Sequence, residues 1–396
     1  MPPEPIYLDH NATTPLGPAA AEAMRSAGVE AYANPASQHG PGRNARRRLE
    51  GARERILTLL GGETSGRAPD RLVFTSGGTE SNALALRGLL AASGRKRLVV
   101  SAIEHPSVAA TADRLEGEGC TVDRLGATDG GVVRLDALRE LLSRHGGEIG
   151  LVSLMAASNE TGVLQPIAEA ARLCHEAGVP FHTDAAQLVG KRPIEFRSWG
   201  AAALSFTAHK FNGPLGVGGL LLAPEVTPAP QLHGGFQQES LRPGTESAPL
   251  AAGLAAALET ATEGQTERRD RLKRLRDQFE RALLASWPGA VALGAETDRL
   301  EHTSCLAFPG ADRQALVMAY DLAGVACSTG SACASGSSEP SPTLLAMGLP
   351  EKIVRGAVRF SLGATTTEAQ INDAITRLTG VHERLRSEAI DTPPTR

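Results

Sequence analysis

"PIAEAARLCHEAGVPFHTDAAQ", residues 166–187, is the stretch on which the fold turns. Its first part spaces apolar residues three and four apart and stops at Gly178, as an amphipathic helix closed by glycine does. Its second part is a short apolar run with polar residues, Asp184 and Gln187, at its end, the pattern of a buried strand running into a loop. The same unit recurs on either side. "RLVFTS" (71–76), "RLVVSAI" (97–103), "IGLVSLMAAS" (149–158), "ALSFTA" (203–208) and "GGLLLAP" (218–224) read as further buried strands. Alternation of this kind implies an α/β fold, a mostly parallel sheet with helices on both faces. Ligands of such sheets bind at the carboxyl ends of the strands, so polar residues just after each apolar run are the ones to inspect.

The pattern changes near residue 250. Residues 248–289 read as one or two long helices, "HTSCLAFPG" (302–310) as a strand, and "VRFSLGATTTEAQINDAITRLTGVHERL" (358–385) as a strand leading into a helix. A smaller α+β domain is expected here. The expected division is 15–250 for the large domain, 1–14 with 251–385 for the small one, and 386–396 as a disordered tail. With 40 Lys and Arg against 44 Asp and Glu, the charge balance gives no reason to expect nucleic acid as a partner. The basic run "RNARRRLEGARER" (43–55) reads as a solvated helix face with internal Arg–Glu pairs. Cys120, Cys174, Cys305, Cys327 and Cys333 are odd in number and scattered, which suits a reducing compartment better than a disulfide framework. The first residues carry no secretory pattern and no apolar run is long enough to cross a bilayer, so a cytoplasmic protein without a membrane or metal role is expected.

Three segments carry chemistry. "TSGGTESNALALRGLL" (75–90) follows a strand and opens a helix, so its glycines, free N–H groups and Thr79 suit a phosphate, although a plain glycine turn with a helix cap reads equally well. "HTDAAQ" (182–187) puts Asp184 at a strand end, either to cap a helix or to face a buried cation such as a protonated pyridine ring. "SFTAHKFNGPLGVGG" (205–219) puts His209 and Lys210 at the next strand end, where a lysine with a lowered pKa suits covalent attachment of a carbonyl compound. "GVGG" precedes a strand and is therefore no dinucleotide fingerprint. A phosphate cup, a carboxylate and a lysine at strand ends are what pyridoxal phosphate requires.

With these in place the chain closely resembles the fold-type I, class V aminotransferase-like pyridoxal-phosphate enzymes, and within them the cysteine desulfurases of the NifS/IscS type. The resemblance rests on "YLDHNATTP" (7–15), "NPASQHG" (34–40), "TSGGTESN" (75–82), "EHPSV" (104–108), "NETG" (159–162), "HTDAAQ", "AHKFNGP", "RPGTES" (242–247), "GSACASGSSEPS" (330–341) and "VRFSLG" (358–363), which occur in family order along nearly the whole chain. It implies a large domain built on a seven-stranded sheet sandwiched by helices. It implies Lys210 as the lysine joined to the cofactor, His105 stacked on the ring, and Asp184 at the ring nitrogen. Asn159 and Gln187 would bond the phenolic oxygen, and Gly78, Thr79, Thr207 and His209 the phosphate. Thr245 would reach the phosphate from the second subunit of a homodimer. Arg359 would clamp the substrate carboxylate, with Asn34 approaching it too. The implied activity is removal of sulfur from L-cysteine, leaving L-alanine and a persulfide for a sulfur-acceptor protein such as an iron–sulfur scaffold.

That activity accounts for "CSTGSACASGSSEPS" (327–341), which holds two of the five cysteines in a run of small polar residues. A thiolate must reach the substrate sulfur and then carry it to an acceptor, which a rigid core cysteine could not do. Cys333 occupies the family position, while Cys327 precedes the motif and is expected to be partly packed. The loop matches the longer-loop branch of the family. Leu215, Ser158 and Thr207 depart from common family residues without removing a catalytic group. The chain's last residues lack the ending associated with scaffold docking, which leaves the acceptor open. The alternatives are a selenocysteine lyase, a cysteine-sulfinate lyase or an aminotransferase on the same scaffold, and a non-catalytic module. Cys333 argues against simple transamination, and Lys210 against loss of catalysis.

Overall fold

The computed structural model describes residues 4–330 and 339–391, with side-chain surroundings as far as Ser387. Strand β1 (Ile6–Tyr7) leads to helices α1 (Pro18–Glu30) and α2 (Gly40–Leu59). Strands and helices then alternate as β2 (Arg71–Thr75), α3 (Gly78–Ser93), β3 (Arg97–Ser101), α4 (Pro106–Gly117), β4 (Thr121–Leu125), α5 (Leu135–His145) and β5 (Ile149–Met155). The series continues through α6 (Ile167–Glu176), β6 (Phe181–Asp184), the single turn α7 (Phe196–Trp199), β7 (Ala203–Thr207) and β8 (Gly218–Leu222). After α8 (Ala248–Thr262) and α9 (Gln265–Ser286) come β9 (Val291–Ala292), β10 (Thr303–Ala307), α10 (Arg313–Leu322) and β11 (Val325–Ala326). The last elements are α11 (Pro342–Ala346), α12 (Glu351–Val354), β12 (Ala357–Ser361) and α13 (Glu368–Asp391).

The main sheet has seven strands in the order β2-β8-β7-β6-β5-β3-β4. Its inner strands read as unbroken apolar runs because helices cover both faces: all seven residues of β5 are buried. Only β8 runs against its neighbours, pairing antiparallel with both β7 and β2. The physical reason is the connection, since β7 reaches β8 through a short loop instead of a crossover helix. The glycines of "GVGG" serve this arrangement. A Cβ on Gly218 would lie 2.6 Å from the Phe206 carbonyl oxygen and 2.8 Å from the Cα of Gly77, and one on Gly219 would lie 2.5 Å from the Phe206 ring.

Helix α6 shows how one face is chosen. Ile167, Ala170, Ala171 and Cys174 are buried on one side, and the chain leaves the helix through Gly178 at φ +65°. Helices α8 and α9 divide at Gly264, which adopts φ +55°. A second apolar cluster gathers Leu272, Phe279, Phe308, Tyr320, Phe360 and Leu378 around the three-stranded sheet β12-β10-β9 and the short pair β1-β11. Helix α8 joins the larger cluster instead, through Ala248, Ala251, Leu254 and Leu258. Helix α13 continues to Asp391, past residue 385, where the sequence reading ends the folded part. Among the described residues no helix is long and apolar enough to cross a membrane.

Candidate active site

The carboxyl ends of β3, β5, β6 and β7 meet the amino end of α3 around a cavity of about 230 Å³. Gly78, Thr79, His105, Asn159, Asp184, Gln187, Thr207, His209, Lys210 and Arg359 all line it. They come from six separate stretches of sequence. Asp184 ends β6 and Thr207 ends β7, and Lys210 follows in one tight 3-10 turn, Ala208–Lys210.

Asp184 is held from below on both oxygens. The Ala186 amide donates to Oδ1 at 2.9 Å, and Asn82 Nδ2 donates to Oδ2 at 2.7 Å. Asn82 also donates to Ser107 Oγ at 2.9 Å, which ties the carboxylate to the start of α4. His105 caps that helix, its Nδ1 accepting from the Ser107 amide at 3.1 Å. Burial lowers the pKa of His105, outweighing the attraction of Asp184, so the ring faces the cavity neutral. Next to it, burial raises Glu104 to about 8; its Oε1 accepts from Ser101 Oγ at 2.6 Å and from the Met155 amide at 2.8 Å, joining the ends of β3 and β5.

The amino end of α3 is the cavity's anion pole. Its free N–H groups and its dipole favour a negative ligand. Glu80, in the first turn of this helix, is drawn away by Arg242 at 2.8 Å. His209 stands on the same rim, with Nδ1 3.2 Å from Thr13 Oγ1. Burial, then Lys210 and Lys191, lower its pKa to about 4, which leaves one N–H to donate.

Segment 9–15 straps Lys210 in place. Lys210 Nζ donates to the carbonyls of Asn11 and Ala12, and Thr14 Oγ1 donates to the His209 carbonyl at 2.7 Å. Asn11 in turn is fixed by the far side of the molecule, its amide donating to Ser361 Oγ at 2.8 Å and its Nδ2 to Thr303 Oγ1 at 3.0 Å. Arg359 is 2% exposed. It donates to the carbonyls of Asn159 at 2.9 Å and Gly330 at 2.6 Å, and to Asp9 Oδ1 at 2.7 Å. Its Nε, and Asn159 Oδ1, are buried with no hydrogen-bond partner among the described residues.

Two predicted residues lie elsewhere on this chain. Asn34 and Thr245 share an open depression with Tyr32, Pro35 and Ser247, and neither lines the cavity. Cys333 lies outside the described residues. Gly330, three positions before it, lines the cavity. Cys327 directly follows the short strand β11 and packs on the second cluster, and burial pushes its thiol well above the ordinary range. Asn11 and Asn82 are the site residues that the sequence reading left unassigned. Both stand inside quoted motifs, "YLDHNATTP" and "TSGGTESN", and that was the available signal.

Pyridoxal phosphate fits this set of groups. The cavity has an anion pole for a phosphate, a carboxylate for a ring nitrogen, a neutral imidazole face, and a lysine. Asn159, whose Oδ1 has no hydrogen-bond partner among the described residues, adds an amide to the cavity wall that can pair with a polar ligand.

Residues 6–373 match the family model described as aminotransferase class-V. A cysteine desulfurase of Cereibacter sphaeroides is 44% identical over 97% of both chains. An IscS-like cysteine desulfurase of Mycobacterium tuberculosis is 42% identical over 97% of this chain and 98% of its own. Among solved structures, a NifS-like protein from Rickettsia africae superposes with a TM-score of 0.87 at 30% identity, over 96% of this chain and 100% of that one.

Proposed function

The chain belongs to the class-V aminotransferase family and, within it, to the cysteine desulfurases, and from that premise we propose how its residues divide the work. L-cysteine and the Cys333 thiol are converted to L-alanine and a Cys333 persulfide. The carbon–sulfur bond of the substrate breaks, a sulfur–sulfur bond forms on Cys333, and the thiol's proton balances the hydrogen gained by alanine. The observation that carries this reading is the convergence of Lys210, Asp184, His105 and Arg359 on one cavity that Gly330 also lines, three positions before Cys333.

The family is pyridoxal-phosphate-dependent, and the bound cofactor supplies the electron sink for charge released at the substrate α-carbon. Arg359 holds the substrate carboxylate with its planar fork. Lys210 takes the α-proton and returns one, a role for an amine at the cavity wall. Asp184, fixed by Asn82 and the Ala186 amide, keeps the ring nitrogen protonated. His105 packs on the ring face. Asn159 and Gln187 bond the phenolic oxygen, and Gly78, Thr79, Thr207 and His209 hold the phosphate. We place Thr245 and Asn34 at the cavity of a second copy. Their shared depression supports a homodimer in which each chain completes the other's site. The acceptor of the persulfide is proposed to be a protein such as an iron–sulfur scaffold, in the cytoplasm. The four described cysteines are all free thiols, which supports that compartment. We also propose the division into a large cofactor-holding unit and a smaller one, with α8 counted in the large unit because its apolar side joins that core.

The test is alanine release under reducing conditions from L-cysteine, L-selenocysteine and L-cysteine sulfinate. Release from L-cysteine is expected. Release from selenocysteine or sulfinate alone would replace this reading with a lyase on the same scaffold.

A further inference from the structure

Gln187 does not stand alone at the cavity wall. The chain turns tightly after β6, and four residues further on Lys191 Nζ donates to Gln187 Oε1 at 3.0 Å. Gln187 Nε2 donates to the Asn11 carbonyl at 3.0 Å, the same oxygen that Lys210 Nζ meets. A carbonyl only accepts, so the Asn11 oxygen takes an N–H of the Gln187 amide and leaves Oε1 to face Lys191 Nζ. Oε1 is engaged by Lys191, and Nε2 has a second N–H beyond the one given to Asn11, on a residue that lines the cavity.

The turn is built to hold this lysine. Gly190 has φ +77°, and a Cβ there would lie 2.6 Å from Cβ of Phe211, the residue after Lys210. The turn therefore packs against the Lys210 turn at close range. Lys191 and Lys210 both line a second cavity, of about 120 Å³, behind the first. The neighbouring Arg192 is paired with Asp298 and Glu301, but no carboxylate lies within ion-pair distance of Lys191 among the described residues. The charged and titratable groups whose fields couple with Lys191 are Lys210, Arg359, His10, His209 and His302. Burial and the like charges of Lys210 and Arg359 lower its pKa well below the ordinary lysine range. A largely enclosed amine with no carboxylate at ion-pair distance among the described residues is costly to folding.

We propose that Lys191 is a positioning residue, which locks the Gln187 amide so that only an N–H faces the phenolic oxygen of the cofactor. This rests on the cofactor placement proposed above. A donated N–H stabilises negative charge on that oxygen, and losing it makes the oxygen and its lysine-linked neighbour hold a shared proton more tightly.

The experiment is a pH titration of the visible absorbance of the holoenzyme. Lys191→Met is expected to raise the midpoint by about one unit, a tenfold change in proton affinity. Lys191→Gln, polar but shorter, is a second variant expected to shift it the same way, and Lys191→Arg is expected to hold it near the wild-type value. The thermal midpoint of Lys191→Met is expected not to fall. In a cycle with Gln187→Leu, the double variant is expected to match Gln187→Leu alone, because Lys191 acts through that amide. Additive shifts would show a charge effect without positioning and would overturn the proposal, as would an unmoved midpoint in both Lys191→Met and Lys191→Gln. A wild-type protein that gains no visible band with pyridoxal phosphate would overturn the cofactor placement itself.

Discussion

Lys210→Ala is expected to lower alanine release from L-cysteine by roughly 10²- to 10⁴-fold, the range that a positioned proton-transfer group contributes. Under the proposed role of Lys210, the substitution also removes the point of covalent attachment. Borohydride would then no longer fix pyridoxal phosphate to the chain, whereas it would do so in the wild type. Folding is expected to survive, because the Lys210 Nζ bonds to the Asn11 and Ala12 carbonyls face a cavity that water can enter to take its place. Activity with the wild-type rate in a folded Lys210→Ala protein would exclude Lys210 as the proton-transfer group.

Arg359→Lys tests the carboxylate clamp without removing its charge. The guanidinium is 2% exposed and divides its donors among two carbonyls and Asp9, while its Nε has no partner among the described residues. A point-like ammonium cannot reproduce that fork. Charge-assisted hydrogen bonds contribute about 1.5–3 kcal/mol each, so losing one to the substrate should lower kcat/KM by roughly tenfold to a hundredfold. The effect should fall mainly on KM, since the carboxylate is held in both ground and transition states. A change in kcat alone, with KM preserved, would assign Arg359 to a different task.

Most of the large sheet could be read from the chain because its strands are buried on both faces and appear as apolar runs. The exception is β4, Thr121–Leu125. It lies at the sheet edge and carries Asp123 and Arg124, so it has the composition of a loop. The direction of β8 could not be read from its own residues, because it depends on the length of the connection from β7. Helix α8 reads as part of the later domain by position, yet its alanine-rich face packs on α1 and α2, a contact across more than 200 residues of sequence. The site followed the same rule. Residues at strand ends, such as Asp184 and Lys210, announce themselves by their place after an apolar run. Asn11 works largely through a backbone carbonyl, so its motif gives its place but not its role, and Lys191 works through another side chain and has no local pattern. Asn34 and Thr245 line a separate depression of the single chain, and their proposed place at a second copy's cavity rests on the motif resemblance, since strand-end position within one chain does not mark them.

The central claim is sulfur transfer to Cys333. It is tested most directly by incubating the cofactor-loaded protein with L-cysteine and measuring alanine together with sulfur bound to the chain, in wild type and in Cys333→Ala. The account predicts alanine and one additional sulfur on the Cys333 peptide in the wild type, and loss of both in the variant. Equal alanine from the two proteins, or no alanine from the loaded wild type, would contradict it.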